Sequence, residues 1–406
     1  MVDQANLLYF FLSLFYDFVY LHFENLILQR MKGFLVLICF AVWLGMSSWV
    51  VNQNSPEMVA VDSIRAQYEQ PIVKWPKPTI DSGVVWTELG VIPEDTLWRR
   101  VDTDAKTSLG KMLFFDPRLS SSDQISCSSC HDPDLSWQDG RVISLGNDHL
   151  QGTRNTPSIL NSYIFDKLFW DGRADDYQSQ AVNPIKEHHE LNMNIERLPE
   201  KLQQIKGYIS LFNKAYDSDT ITVDRITDAL ASFQTAVRSR KTKFDRFMLG
   251  DYKQMNDQEL MGLHLFRTKA RCMNCHNGVF LTDGDFHNIG LTYYKRKYQD
   301  LGRYEITKDT ADVGKFRTPS LRELNRTRPW MHNGLFNDLE GIVNLYNSGM
   351  PQLPKNEEQR KDPMFPKTDP LLKPLDLTVQ ERQNLVAFLN SMTGVPFRMA
   401  RPVLPK

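Results

Sequence analysis

Two short stretches carry side chains suited to holding an iron porphyrin: Cys127-Ser128-Ser129-Cys130-His131 and Cys272-Met273-Asn274-Cys275-His276. In C-x-x-C-H each thiol can form a thioether to one haem vinyl group, and the adjacent histidine reaches the iron from the same face. A zinc ribbon brings its two cysteine pairs much closer in sequence than Cys127 and Cys272. A redox dithiol needs no histidine next to it in both copies. The expectation is therefore two covalently bound haem c groups, with His131 and His276 as proximal iron ligands. The group opposite each histidine then decides function, because two protein ligands make an electron carrier and an open position makes a catalyst.

The elements that must position these sites read as helices. One is expected over Asp104 to Phe115, with Leu109, Met112 and Leu113 on one face and Pro117 stopping it. A second runs from Asp224 to about Arg240, with Ile226, Leu230, Phe233 and Val237 as its apolar stripe. Asn256 with Glu259 caps a third, which continues through Phe266 to the second C-x-x-C-H. Thr378 with Glu381 opens the last, and Gly394 is its expected C-terminal cap. Gly110-x-x-Leu113-Phe114 and Gly262-x-x-Leu265-Phe266 each precede a haem motif, so the chain reads as two copies of one helix-then-haem unit. No strand pattern is evident, and the proline-rich, charged stretch Met350 to Pro374 reads as a long excursion loop.

A chain of 406 residues, 41% hydrophobic and 24% charged, suits two packed domains behind a leader. A net charge of -1 gives no electrostatic reason to expect a nucleic-acid partner. Four of the five cysteines belong to the haem motifs; the fifth, Cys39, lies in an apolar run as a small hydrophobe. Residues 33–51 are uncharged and mostly apolar, follow Arg30 and Lys32, and are long enough to cross a membrane, which takes roughly 20 residues. They read as an export signal or an inner-membrane anchor, with the basic residues on the cytoplasmic side and the body in the periplasm. The expected division is 1–51 leader, 52–81 linker, 82–240 first haem domain and 241–406 second haem domain. The fold class is mainly α, with two cytochrome-c-like haem domains and long loops.

Around both sites the sequence resembles the bacterial di-haem cytochrome c peroxidase family, which includes the MauG branch. The resemblance rests on ordered stretches from Leu109 to Gly394. They include Gly110-Lys111-Met112-Leu113-Phe114-Phe115-Asp116, Arg154-Asn155-Thr156-Pro157, Phe169-Trp170-Asp171-Gly172-Arg173, Phe286-His287-Asn288-Ile289-Gly290, Phe316-Arg317-Thr318-Pro319-Ser320-Leu321-Arg322 and Met331-His332-Asn333-Gly334. It implies that Glu190 is the peroxide acid–base, that Gln180 and Pro184 belong to the same distal pocket, and that Trp170 lies between the haems. It further implies a calcium ion bound by Asn155, Thr327 and Pro329. The distal histidine of many peroxidases corresponds to Asn147, with His149 two residues away as an alternative ligand. The usual methionine ligand of the second haem corresponds to Tyr346, and in the MauG branch that ligand is tyrosine.

The implied activity is reduction of hydrogen peroxide at the His131 haem. Electrons would come through the His276 haem from a small periplasmic donor, a cytochrome c or cupredoxin. A MauG-like oxidation of a partner protein and a non-catalytic electron carrier are the competing readings. Membrane contact is expected through the N-terminal segment, and a homodimer is allowed.

Overall fold

The computed structural model describes residues 56–94, 97–352, 356–396 and 399–406, the first five as backbone alone. Its principal helices are α1 (Pro56–Tyr68), α2 (Ala105–Phe115), α3 (Tyr177–Lys186), α4 (Val223–Thr235), α5 (Asp257–Arg267), α6 (Leu339–Asn347) and α7 (Val379–Ser391). The pairing of β1 (Phe286–His287) with β2 (Phe316–Arg317) is antiparallel. Two residues per strand are too few to leave an alternating pattern, which is why the sequence suggested no sheet. The leader, residues 1–51, lies outside the described residues. Among the described residues no helix is long and apolar enough to cross a membrane.

The internal repeat is realised as two helix crossings. Asp104 caps α2 by accepting from the Thr107 N–H, and Leu109, Leu113 and Phe114 are buried on its inner face. A Cβ on Gly110 would drive into the carbonyl oxygen of Ala229 on α4. A Cβ on Gly262 of α5 would do the same at Asn384 of α7. Each glycine therefore lets two helix backbones touch. One turn on, Phe114 meets Phe233 at 5.1 Å between ring centroids, and Phe266 meets Phe388 at 5.2 Å. The pairs correspond residue for residue, and each anchors a hydrophobic core, one built mainly from 101–237 and one mainly from 244–392.

Several sequence expectations shift. The segment read as a tether is helical over Pro56–Tyr68, and Tyr68 and Trp75 are buried in the second core. The prolines there hold an extended strap whose aromatic residues bury, so from Ile64 onward it is no free linker. Residues at the expected start of the first haem domain also join the second core: the Thr87 N–H donates to Asn277 Oδ1 and the Ile92 N–H to Asp245 Oδ1. Helix α4 ends at Thr235 rather than Arg240, because the following backbone is diverted to Asn161. The Asn161 N–H donates to the Val237 carbonyl, and Asn161 Oδ1 accepts from the Ser239 N–H. Gly394 is not the cap of α7, which closes at Met392; its N–H donates instead to Glu323. The excursion loop contains a short helix, Glu357–Lys361, and buries Phe365.

Candidate haem sites and the groups between them

Cys127–Cys130 forms a single helical turn, with Ser126 and Ser129 exchanging a capping box and the His131 N–H bonded to the Cys127 carbonyl. The Cys272–Asn274 turn is closed in the same way, by the His276 N–H on the Cys272 carbonyl. His131 Nδ1 lies 3.0 Å from the Trp137 carbonyl, and His276 Nδ1 lies 3.0 Å from the Leu281 carbonyl. A carbonyl can only accept, so Nδ1 carries the proton and Nε2 keeps its lone pair for a metal. Burial lowers both imidazole pKa values and favours the neutral, ligating form. All four thiols are unbridged. Two free thiols on one turn beside an oriented neutral imidazole fit a covalently attached haem at each site.

The second turn opens onto a cavity of ≈ 260 Å³. Its wall includes Cys272, Cys275 and His276 together with Tyr346, which α6 delivers. The start of α6 is fixed by Asp338, whose carboxylate accepts from the Glu340 and Gly341 N–H groups. Burial, with both thiols close by, raises the pKa of the Tyr346 phenol. It stays neutral unless a cation takes the proton's place.

Beside the first turn lies Glu190, whose charge is felt by both Cys127 and Cys130. It ends a tight turn after α3, the helix that carries Gln180 and Pro184. The Glu190 N–H donates to the Glu187 carbonyl, and the Glu190 carbonyl accepts from the Asn147 N–H at 2.8 Å. Gly146 makes that contact feasible, since a Cβ there would strike the His189 carbonyl. Burial raises the Glu190 pKa above the usual carboxylate range, against the opposing charge of Arg173. Asn147 is buried, with its Nδ2 donating to Asp148, whereas His149 is exposed.

Trp170 links the two halves through its backbone and its indole. Its Nε1 donates to the Asn155 carbonyl at 2.9 Å, and its own carbonyl accepts from the Arg317 N–H. Asn155, Thr327 and Pro329 line the same cavity as Trp170. The Asn155 amide nitrogen donates to the Arg141 and Val142 carbonyls, which turns its side-chain oxygen away from them.

Other groups were not singled out as site residues by sequence reasoning. His287 is clamped between Asp369 (2.7 Å) and Asp283 (3.0 Å). Burial alone would depress its pKa, but the two carboxylates raise it to about 12. His332 stacks on Phe316 at 3.6 Å and is pushed down to about 4 by burial. Arg317 is buried against the same cavity. Asp369 lies 82 residues from His287 and Phe169 lies 148 residues from Arg317, so no local signal marks these contacts.

Two haem c attachment turns on a duplicated helical unit, one beside a half-buried carboxylate and one facing a tyrosine, define a di-haem c-type oxidoreductase. The chain belongs to the di-haem cytochrome c peroxidase family, whose profile matches residues 104–253. It is 37% identical over 305 residues to the methylamine utilization protein MauG of Methylophilus methylotrophus, covering 74% of this chain and 86% of that one. It is 35% identical over 298 residues to cytochrome c551 peroxidase of Nitrosomonas europaea, covering 73% and 82%. Among solved structures it is similar to a MauG-like protein associated with microbial copper homeostasis. That match has a TM-score of 0.64 and 29% identity over 79% of this chain and 93% of that one. The protein is an enzyme of the peroxidase class.

Proposed function

We propose that the protein reduces hydrogen peroxide to water at the Cys127–His131 site. Electrons arrive through the Cys272–His276 site from a small periplasmic donor such as a cytochrome c or cupredoxin. The observation that carries this reading is Glu190, a carboxyl with a burial-raised pKa, held beside the first attachment turn by the Asn147 N–H. The haem iron, when bound, supplies the site of peroxide coordination and the electrons for O–O cleavage. Glu190 then accepts a proton from one peroxide oxygen and returns it to the departing one, and its raised pKa suits both directions. Gln180, on the helix before it, belongs to the same pocket and orients the peroxide. With two electrons and two further protons, each peroxide gives two waters.

Trp170 lies between the sites, and Tyr346, which lines the cavity with Cys272, Cys275 and His276, would hold the second haem iron together with His276. Asn155, Thr327 and Pro329 hold one calcium ion, for which oxygen donors are the appropriate chemistry. Residues 33–51 export the body across the inner membrane or anchor it there.

Stopped-flow assays with reduced cytochrome c and peroxide test the reading. The expected result is two cytochromes oxidised per peroxide, with turnover reduced by on the order of 10²–10⁴-fold in Glu190→Gln while both haems stay attached. Full turnover in that variant would remove Glu190 from the chemistry. Peroxide consumption without cytochrome oxidation, accompanied by oxygenation of a partner protein, would replace this reading with the MauG-like one.

A further inference from the structure

Arg317, on β2, is 8% exposed and carries a charge that the surrounding protein does not neutralise. Two other buried arginines meet carboxylates, Arg267 with Glu88 and Arg322 with Asp245, as does the half-buried Arg154 with Asp171 and Asp300. Arg317 meets none among the described residues. Its Nε donates to the Phe169 carbonyl at 3.3 Å, its guanidinium lies 3.4 Å over the Phe165 ring, and its Nη1 has no hydrogen-bond partner. A buried guanidinium left in this state is costly, because a desolvated charge needs an opposite charge or a full set of acceptors. Burial accordingly depresses its pKa to about 10, with only the Tyr177 hydroxyl acting against it.

The cavity beside Arg317 supplies the missing partner's location. Arg317 lines the same space as Cys272, Cys275, His276 and Tyr346. A haem attached there brings two propionate carboxylates into a region that is otherwise largely apolar. A planar guanidinium fork is well matched to one of them.

We infer that Arg317 is the buried counter-cation of a propionate of the haem held by Cys272, Cys275 and His276. Because its backbone N–H and its Nε also bind the carbonyls of Trp170 and Phe169, Arg317 fixes that carboxylate against the Trp170 segment. It is a positioning residue that sets the second haem's charge environment. The inference rests on the second haem site of the proposed function but not on peroxide turnover, so loss of activity in a fully loaded protein bears on Glu190 and not on Arg317.

The test is a redox titration of the holoprotein, wild type against Arg317→Gln and Arg317→Lys, with haem content measured in each. A nearby cation favours the reduced haem, which carries one more negative charge. The expected result in Arg317→Gln is a downward shift of the second haem's midpoint potential with the first haem's in place. Arg317→Lys restores most of the shift. An unchanged second-haem potential, or a shift confined to the first haem, overturns the assignment. If the glutamine variant fails to load haem, resonance Raman spectra of the lysine variant decide the question. The second haem's propionate bending band is expected to move as a two-pronged contact becomes a single one, and an unmoved band overturns the assignment.

Discussion

Burial raises the pKa of the Glu190 carboxyl, so its ionised form appears at higher pH than that of a free carboxylate. Peroxide deprotonation needs that ionised form. The acid limb of kcat/KM should therefore fall as pH drops through the raised pKa, and Glu190→Gln should lose that limb as well as rate. An acid limb retained in the variant would assign it to another group. The Tyr346 phenol is pushed the opposite way from what a ligand needs, since burial keeps it protonated. Coordination to a ferric iron would supply the compensation, and the anionic oxygen would in turn favour the oxidised metal. Tyr346→Phe should alter the second haem's low-spin spectrum and raise its potential; an unchanged spectrum would rule the ligation out. The attachment cysteines and histidines were legible from sequence because their chemistry is local. Glu190 and Tyr346 needed the family resemblance. The His287 clamp and Arg317 were missed because Asp369 lies 82 residues beyond His287 and Phe169 lies 148 residues before Arg317.

At the scale of elements, the glycine repeat has a direct steric cause. Alanine would raise intrinsic helix propensity by about 1 kcal/mol at either position. The lost backbone approach opposes this, and overpacking of that kind costs about 1–3 kcal/mol. Gly110→Ala and Gly262→Ala should therefore lower the thermal unfolding midpoint of the holoprotein, whereas a gain would mean that the crossings can relax. The cap signals at Asn256 and Thr378 were readable because a side chain and the N–H it accepts from lie three residues apart. The end of α4 was not readable, because Asn161, from a distant loop, captures the backbone that would have continued the helix. The buried strap at Tyr68 and Trp75 was hidden by its prolines, which mark extended chain without saying what it covers.

Over the whole molecule, one helix-then-haem unit occurs twice and is stitched together at both ends of the body. Residues after Ile64 wrap the second core, while Met399 enters the first, and the Gly207 N–H binds the Lys406 carbonyl. On this duplicated frame the two sites have diverged: a half-buried carboxylate and an exposed His149 at the first, and a tyrosine beside the second. The central claim is that divergence, an open peroxide site paired with a closed electron-transfer site. Electron paramagnetic resonance of the fully oxidised resting protein tests it most directly. Expected are one high-spin ferric signal, from the His131 haem, and one low-spin signal, from the His276 haem. Two low-spin, six-coordinate signals would contradict it.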